Sequence, residues 1–110
     1  MITQAKITNF AKRKNIELDV TWWDDEIWLN KLIIPEEHRG EGLGTKVLDM
    51  LKEYCDEKGI PMKLLADSCY GTELNHLIKF YKKHGFESYK EEQHKRNPNY
   101  LKYTPKNIDK

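Results

Sequence analysis

The sequence predicts a mixed α/β domain in which helices layer on a sheet. Three observations carry this. Period-2 alternation marks some stretches, and apolar residues three and four apart mark others. Proline and glycine fall at the junctions, at Pro35, Gly59, Pro61 and Gly85. The 110 residues, 38% hydrophobic and 34% charged and well mixed, suit one globular domain spanning 1–110.

Residues 3 to 14 carry Ile7, Phe10 and Ala11 at helical spacing with lysines opposite, which predicts a short helix. From 16 to 22, Ile16, Leu18, Val20 and Trp22 alternate with Glu17, Asp19 and Thr21, as in a half-buried strand. Asp24-Asp25 makes a turn, and residues 26 to 34 resume as the second strand of a hairpin. Apolar at its end on both faces (Leu32-Ile33-Ile34), this strand is expected near the sheet centre. Pro35 stops it, and a polar, glycine-rich turn runs from Glu36 to Gly44.

Leu43, Val47, Leu48, Leu51, Tyr54 and Cys55 then line one face of an amphipathic helix that Gly59 ends. Met62 to Ala66 reads as a short buried strand. Thr72 is a candidate N-cap for a helix whose apolar face holds Leu74, Leu77, Ile78 and Tyr81, with Gly85 as its C-cap glycine. Phe86–Tyr89 and Asn99–Tyr103 read as two last strands.

The chemistry concentrates in Arg39-Gly40-Glu41-Gly42-Leu43-Gly44, a strand-to-helix turn with three glycines. Glycine permits positive φ and a close backbone approach. Amides there can converge on an anion, helped by the helix N-terminus and a charge-assisted contact from Arg39. A pyrophosphate fits such a cradle. Spaced glycines also make plain structural turns. The dinucleotide fingerprint needs Gly-x-Gly-x-x-Gly, and a Walker A loop needs Gly-Lys-Ser/Thr where this chain has Gly44-Thr45-Lys46.

This segment resembles the Arg/Gln-x-x-Gly-x-Gly/Ala motif of the GCN5-related N-acetyltransferase (GNAT) family. Leu32-Ile33-Ile34-Pro35 resembles the family's central strand, and Leu43 to Lys58 the helix after it. Phe80-Tyr81-Lys82-Lys83-His84-Gly85-Phe86 resembles its second coenzyme motif, commonly Tyr-x-x-x-Gly-Phe. The likeness covers about residues 16–103, with a coenzyme-binding core at about 26–89.

The resemblance implies a mostly antiparallel central sheet flanked by helices, here lacking the family's usual first strand and one helix. It implies acetyl-CoA as acetyl donor and direct attack by an amine on the thioester. Backbone groups of Leu32, Ile33 and Ile34 would bond the pantetheine. Amides of Gly40, Glu41, Gly42, Leu43, Gly44 and Thr45, with Arg39, would hold the pyrophosphate. Tyr81 would protonate the leaving thiolate, although its place on the apolar stripe also suits a core residue. Glu26 is the first choice of general base among strand carboxylates that also read as solvated surface groups. Many members carry an asparagine seven positions before the tyrosine; here Leu74 stands there and Asn75 follows it, as a displaced coenzyme contact or a helix cap.

The acceptor would be an amine on a small molecule, a peptide or a protein, its site either unusually open or completed by a second copy or a partner. An acyl-CoA-binding module, or a partner-dependent subunit without activity of its own, is the alternative, and an interaction domain without coenzyme is the third reading. The net charge of +1 points to no nucleic-acid field, and the lysines of residues 90–106 read as a solvated tail. No apolar run is long enough to span a membrane and no leader opens the chain, so a cytoplasmic protein is expected. Cys55 and Cys69 are expected as reduced thiols, Cys55 in the core and Cys69 in a loop beside the site. His38, His76, His84 and His94 lack metal spacing; His38 abuts the turn, and His76 is a second candidate for proton transfer.

Overall fold

A computed structural model describes residues 1–66, 74–88 and 99–106. Thr72, Cys69, Tyr89 and His94, and with them the expected N-cap, active-site loop cysteine and most of the basic tail, lie outside the described residues. Within them, helix α1 (Gln4–Arg13) starts at Thr3, whose Oγ1 accepts from the Lys6 N–H at 3.1 Å. It stops at Asn15, in left-handed conformation (φ 57°), where the Ile16 N–H returns to the Ala11 carbonyl at 2.9 Å. That stop aims the chain into β1 (Glu17–Trp22), which forms an antiparallel hairpin with β2 (Ile27–Ile33).

Beyond Pro35 the expected simple turn contains a one-turn 3₁₀ helix, Glu36–His38. Helix α2 (Leu43–Lys58) follows and ends at Gly59, φ 69°. Strand β3 (Met62–Leu65), helix α3 (Leu74–Lys83) and strands β4 (Glu87–Ser88) and β5 (Tyr100–Tyr103) complete the order.

The five strands lie in the order β1-β2-β3-β5-β4. Only β2 and β3 run parallel; the other three neighbouring pairs are antiparallel. β2 is therefore internal, as its apolar end predicts. One sheet face carries Ile27, Leu29, Met62, Leu64, Leu101 and Tyr103 into a single core with Val47, Leu48, Leu51 and Cys55 of α2 and Ile7 and Ala11 of α1. Cys55 is a buried free thiol.

The end of α3 follows the same logic as the end of α1. Gly85 has φ 96°, its N–H bonds the Lys82 carbonyl at 3.1 Å, and the Phe86 N–H bonds the Tyr81 carbonyl at 3.1 Å. Such a stop normally adds an apolar contact between the two residues of the longer bond. Here it is Tyr81 against Phe86, with ring centroids 5.4 Å apart. The Tyr-x-x-x-Gly-Phe spacing is thus a helix stop that fixes the direction of Tyr81.

A Cβ at position 85 would add left-handed strain and approach the Tyr103 ring at 3.5 Å. Gly85→Ala should lower unfolding free energy by about 1–2 kcal/mol; urea melts of the two proteins check it, and equal midpoints would contradict the helix-stop account.

Candidate functional site

The pairing of β2 with β3 covers only Ile27–Met62, Trp28–Lys63 and Leu29–Leu64. β2 then continues to Ile33, still bonded to β1 through Lys31, Leu32 and Ile33. Its other edge has no strand partner there among the described residues. The cause is visible in the register. Asp19 faces Lys31 while Val20 faces Leu29, so Asn30 is an extra residue and β2 carries a β-bulge. A bulge bends its strand and steepens the twist, and this one sits where β2 leaves β3. The Asn30 amide donates to Thr21 Oγ1 at 2.7 Å, bracing it.

A cavity of about 210 Å³ fills the gap. Leu29 to Ile34 form one wall, Leu64 to Ala66 the other, and Leu77, Phe80 and Tyr81 of α3 close it; Arg39 and Gly44 stand at its mouth. Of the residues singled out in the sequence, the fold brings Leu32, Ile33, Ile34, Arg39, Gly44 and Tyr81 together here. Residues 40–43 and Thr45 form the adjoining turn. Phe80 and the bulge at Asn30 are additions. Their signals were the polar pair Asn30-Lys31 interrupting an apolar run, and the three- and four-residue steps from Leu77 to Phe80 and Tyr81.

The turn has the properties of an anion cradle. Gly40 and Gly42 have φ of 87° and 79°, and Gly42 caps α2 in the left-handed region. A Cβ at either would meet nothing within 4 Å, so their open side is free for a ligand. The first helical bond of α2 is Lys46 N–H to Gly42 O at 3.0 Å. Among the described residues, no backbone acceptor takes the N–H groups of Leu43, Gly44 and Thr45, the donors a helix start leaves over. Gly44 serves packing instead: a Cβ there would stand 3.4 Å from Phe80 and 3.8 Å from Ile34. Arg39 Nε donates to the Ile34 carbonyl at 3.2 Å, joining turn to strand. His38 Nδ1 lies 3.2 Å from Glu41 Oε2, holding that carboxylate to one side. These features fit a diphosphate on the turn and an extended chain along β2.

Tyr81 is buried, as a core residue on the apolar stripe should be, and it also lines the cavity. Burial pushes its phenol up to about 12. Asn75 and His76 are exposed on α3 and do not line the cavity. Glu26 is not brought there either. It precedes β2 at the opposite end, about 20 Å of extended strand from Leu32. Lys63 Nζ lies 2.8 Å from its Oε1, and Trp28 Nε1 donates to Oε2 at 2.8 Å. Burial raises its pKa, but those two bonds and the Lys63 charge outweigh that and leave it lowered. A carboxylate so occupied ties β2 to β3 below the opening.

Residues 8–88 match the acetyltransferase (GNAT) domain model. The chain belongs to the GNAT acetyltransferase family. Curated proteins give no match. Among solved structures, anti-CRISPR protein AcrVA5 superposes with a TM-score of 0.68 at 20% identity, over 81% of this chain and 90% of that one. Tetrahymena GCN5 gives 0.64 at 15%, over 84% and 61%. Arabidopsis thaliana Naa50, in complex with the bisubstrate analogue CoA-Ac-MVNAL, gives 0.56 at 21%, over 81% and 62%. The chain thus spans about three fifths of the Tetrahymena and Arabidopsis chains. Among the described residues no helix is long and apolar enough to cross a membrane, and no cluster could hold a metal ion.

Because its folded pKa is lowered, Glu26 contributes stability above its ordinary value of 4.5 and loses it as pH falls through the folded value. The Glu26→Gln variant should therefore lose less stability than the parent between about pH 6 and pH 3. Denaturant melts across that range measure it, and parallel curves would count against the ion pair.

Proposed function

We propose that this protein moves an acetyl group from acetyl-CoA to an amine by direct attack on the thioester. The observation that carries the reading is the parting of β2 from β3 beside the turn whose amides have no backbone acceptor among the described residues. One edge of extended backbone and one cradle of N–H groups suit a ligand with an extended amide arm and a diphosphate. The donor supplies an activated acyl carbonyl and a thiolate leaving group.

The chain's own groups then have defined work. The open edge at Leu32, Ile33 and Ile34 receives the arm by strand-like hydrogen bonds. The Leu43, Gly44 and Thr45 amides, freed at Gly40 and Gly42 from any side chain, hold the diphosphate with Arg39 beside them. An N–H of β2 near the bulge, in a water-poor cleft, stabilises charge developing on the carbonyl oxygen. Tyr81 stands over the strand end as a neutral phenol. Burial pushes its pKa up to about 12, above that of an ordinary thiol, so full proton transfer to the thiolate is uphill. Its work is to donate a hydrogen bond to the departing sulfur, while the proton that the attacking amine loses passes through solvent to the thiolate and leaves the free thiol. Glu26 keeps its structural task at the far end.

The acceptor enters from the open end of the cleft. An amine on a small molecule or on a peptide satisfies the same chemistry, and Naa50, whose analogue couples CoA to a peptide, makes peptide amines the first class to test.

Calorimetric titration with acetyl-CoA, with NAD and ATP as controls, tests the reading. Selective binding supports it, and none sinks it. Binding without acetyl transfer across amines and peptides would leave only a coenzyme-binding module. Gly42→Val, forced into a left-handed cap, should weaken acetyl-CoA binding about tenfold, and Arg39→Ala by up to about 3 kcal/mol. Tyr81→Phe should bind the coenzyme as the parent does but turn over about a hundredfold more slowly; an unchanged rate would remove Tyr81 from the mechanism.

A further inference from the structure

His84 closes α3, and its side chain reaches back across the site. Its Nε2 lies 3.3 Å from Oγ1 of Thr45, on the first turn of α2. The ring rests on Phe80 at 4.8 Å between centroids, and Phe80 in turn packs against Gly44. The His84 carbonyl accepts from Lys52 Nζ at 3.0 Å, which pins the backbone. The imidazole Nε2 therefore faces the residue whose amide ends the anion cradle.

We propose that His84 is a positioning residue of the phosphate turn: it holds the Thr45 side chain and takes a proton from solvent when a diphosphate settles on the turn. This rests on the coenzyme reading above. The groups facing His84 fix its charge before binding. Burial lowers its pKa, the Lys52 and Lys83 charges lower it further, and Asp49 opposes them. From β5, Tyr103 lies beside Gly85 and is neutral, its hydroxyl donating to Asp56 at 2.9 Å. In the free protein the ring is thus neutral near pH 7, and only one of its nitrogens donates. An anion on the turn favours the imidazolium. Both nitrogens then donate, and Nε2–H points at Thr45 Oγ1. The Thr45 hydroxyl then accepts from the ring, and its own proton is free to turn toward the anion.

Calorimetry of the full chain with acetyl-CoA, in two buffers of different protonation enthalpy near pH 6.5, reads the protons taken up. The coenzyme's own phosphate titrates alike in every variant and cancels in the comparison. The parent should take up more than His84→Gln by about 0.3–0.8 proton per site. Thr45→Val, on the other side of the contact, should also lower the count and keeps the test open if His84→Gln does not fold. Each single variant should weaken binding about three- to tenfold, and the double variant no more than the weaker-binding single. Equal proton counts in parent and variants, or additive losses in the double variant, overturn the proposal. A parent that does not bind acetyl-CoA overturns the coenzyme reading itself, and this one with it.

Discussion

β2 and β3 share a parallel ladder of three residue pairs and then separate, and the site is built in the separation. A strand inside a sheet has both edges satisfied, since unpaired backbone groups are costly away from water. β2 escapes that rule on one edge because Asn30 is inserted opposite β1. The extra residue bends the strand away from β3 without loosening it from β1. Glu26 and Lys63 tie the two strands below the gap, and α3 closes it with Leu77, Phe80 and Tyr81. The cleft is an interruption of the sheet held open from both ends.

Much of this architecture is legible in the chain. The alternation of Ile16 to Trp22, the stripe from Leu43 to Cys55 and the glycines at 59 and 85 mark elements by local rules, and the structure has them within a residue or two. The glycine turn is legible because it uses backbone conformations that only certain residues adopt easily. What local rules do not carry is pairing. Lys63 meets Glu26 only because a parallel crossover sets β3 beside β2, so a carboxylate that reads as free in the sequence is occupied in the fold. The bulge is likewise a property of two strands in register. Asn75 fails for a different reason. It lies two residues from Leu77, on another side of α3 from the face that Leu77, Phe80 and Tyr81 present, and that phase was readable.

Tyr81 joins the core to the wall of the cavity. Its ring packs on Phe80 and Phe86, and its carbonyl receives the bond that ends α3. The same burial that fixes the side chain raises its pKa, which favours hydrogen bonding over proton release. One residue thus sets the helix end, the wall of the cleft and the polarity at its floor.

Gly40 and Gly42 leave open space above a turn whose donors belong to the main chain. A grip made of peptide groups is indifferent to the side chains beside it. Glu41, exposed to solvent, could be exchanged widely without altering a single main-chain donor, whereas a change at Gly42 reaches the backbone itself. Sequences can therefore drift far apart around such a site while its shape endures, in keeping with a fold held in common at 15 to 21% identity.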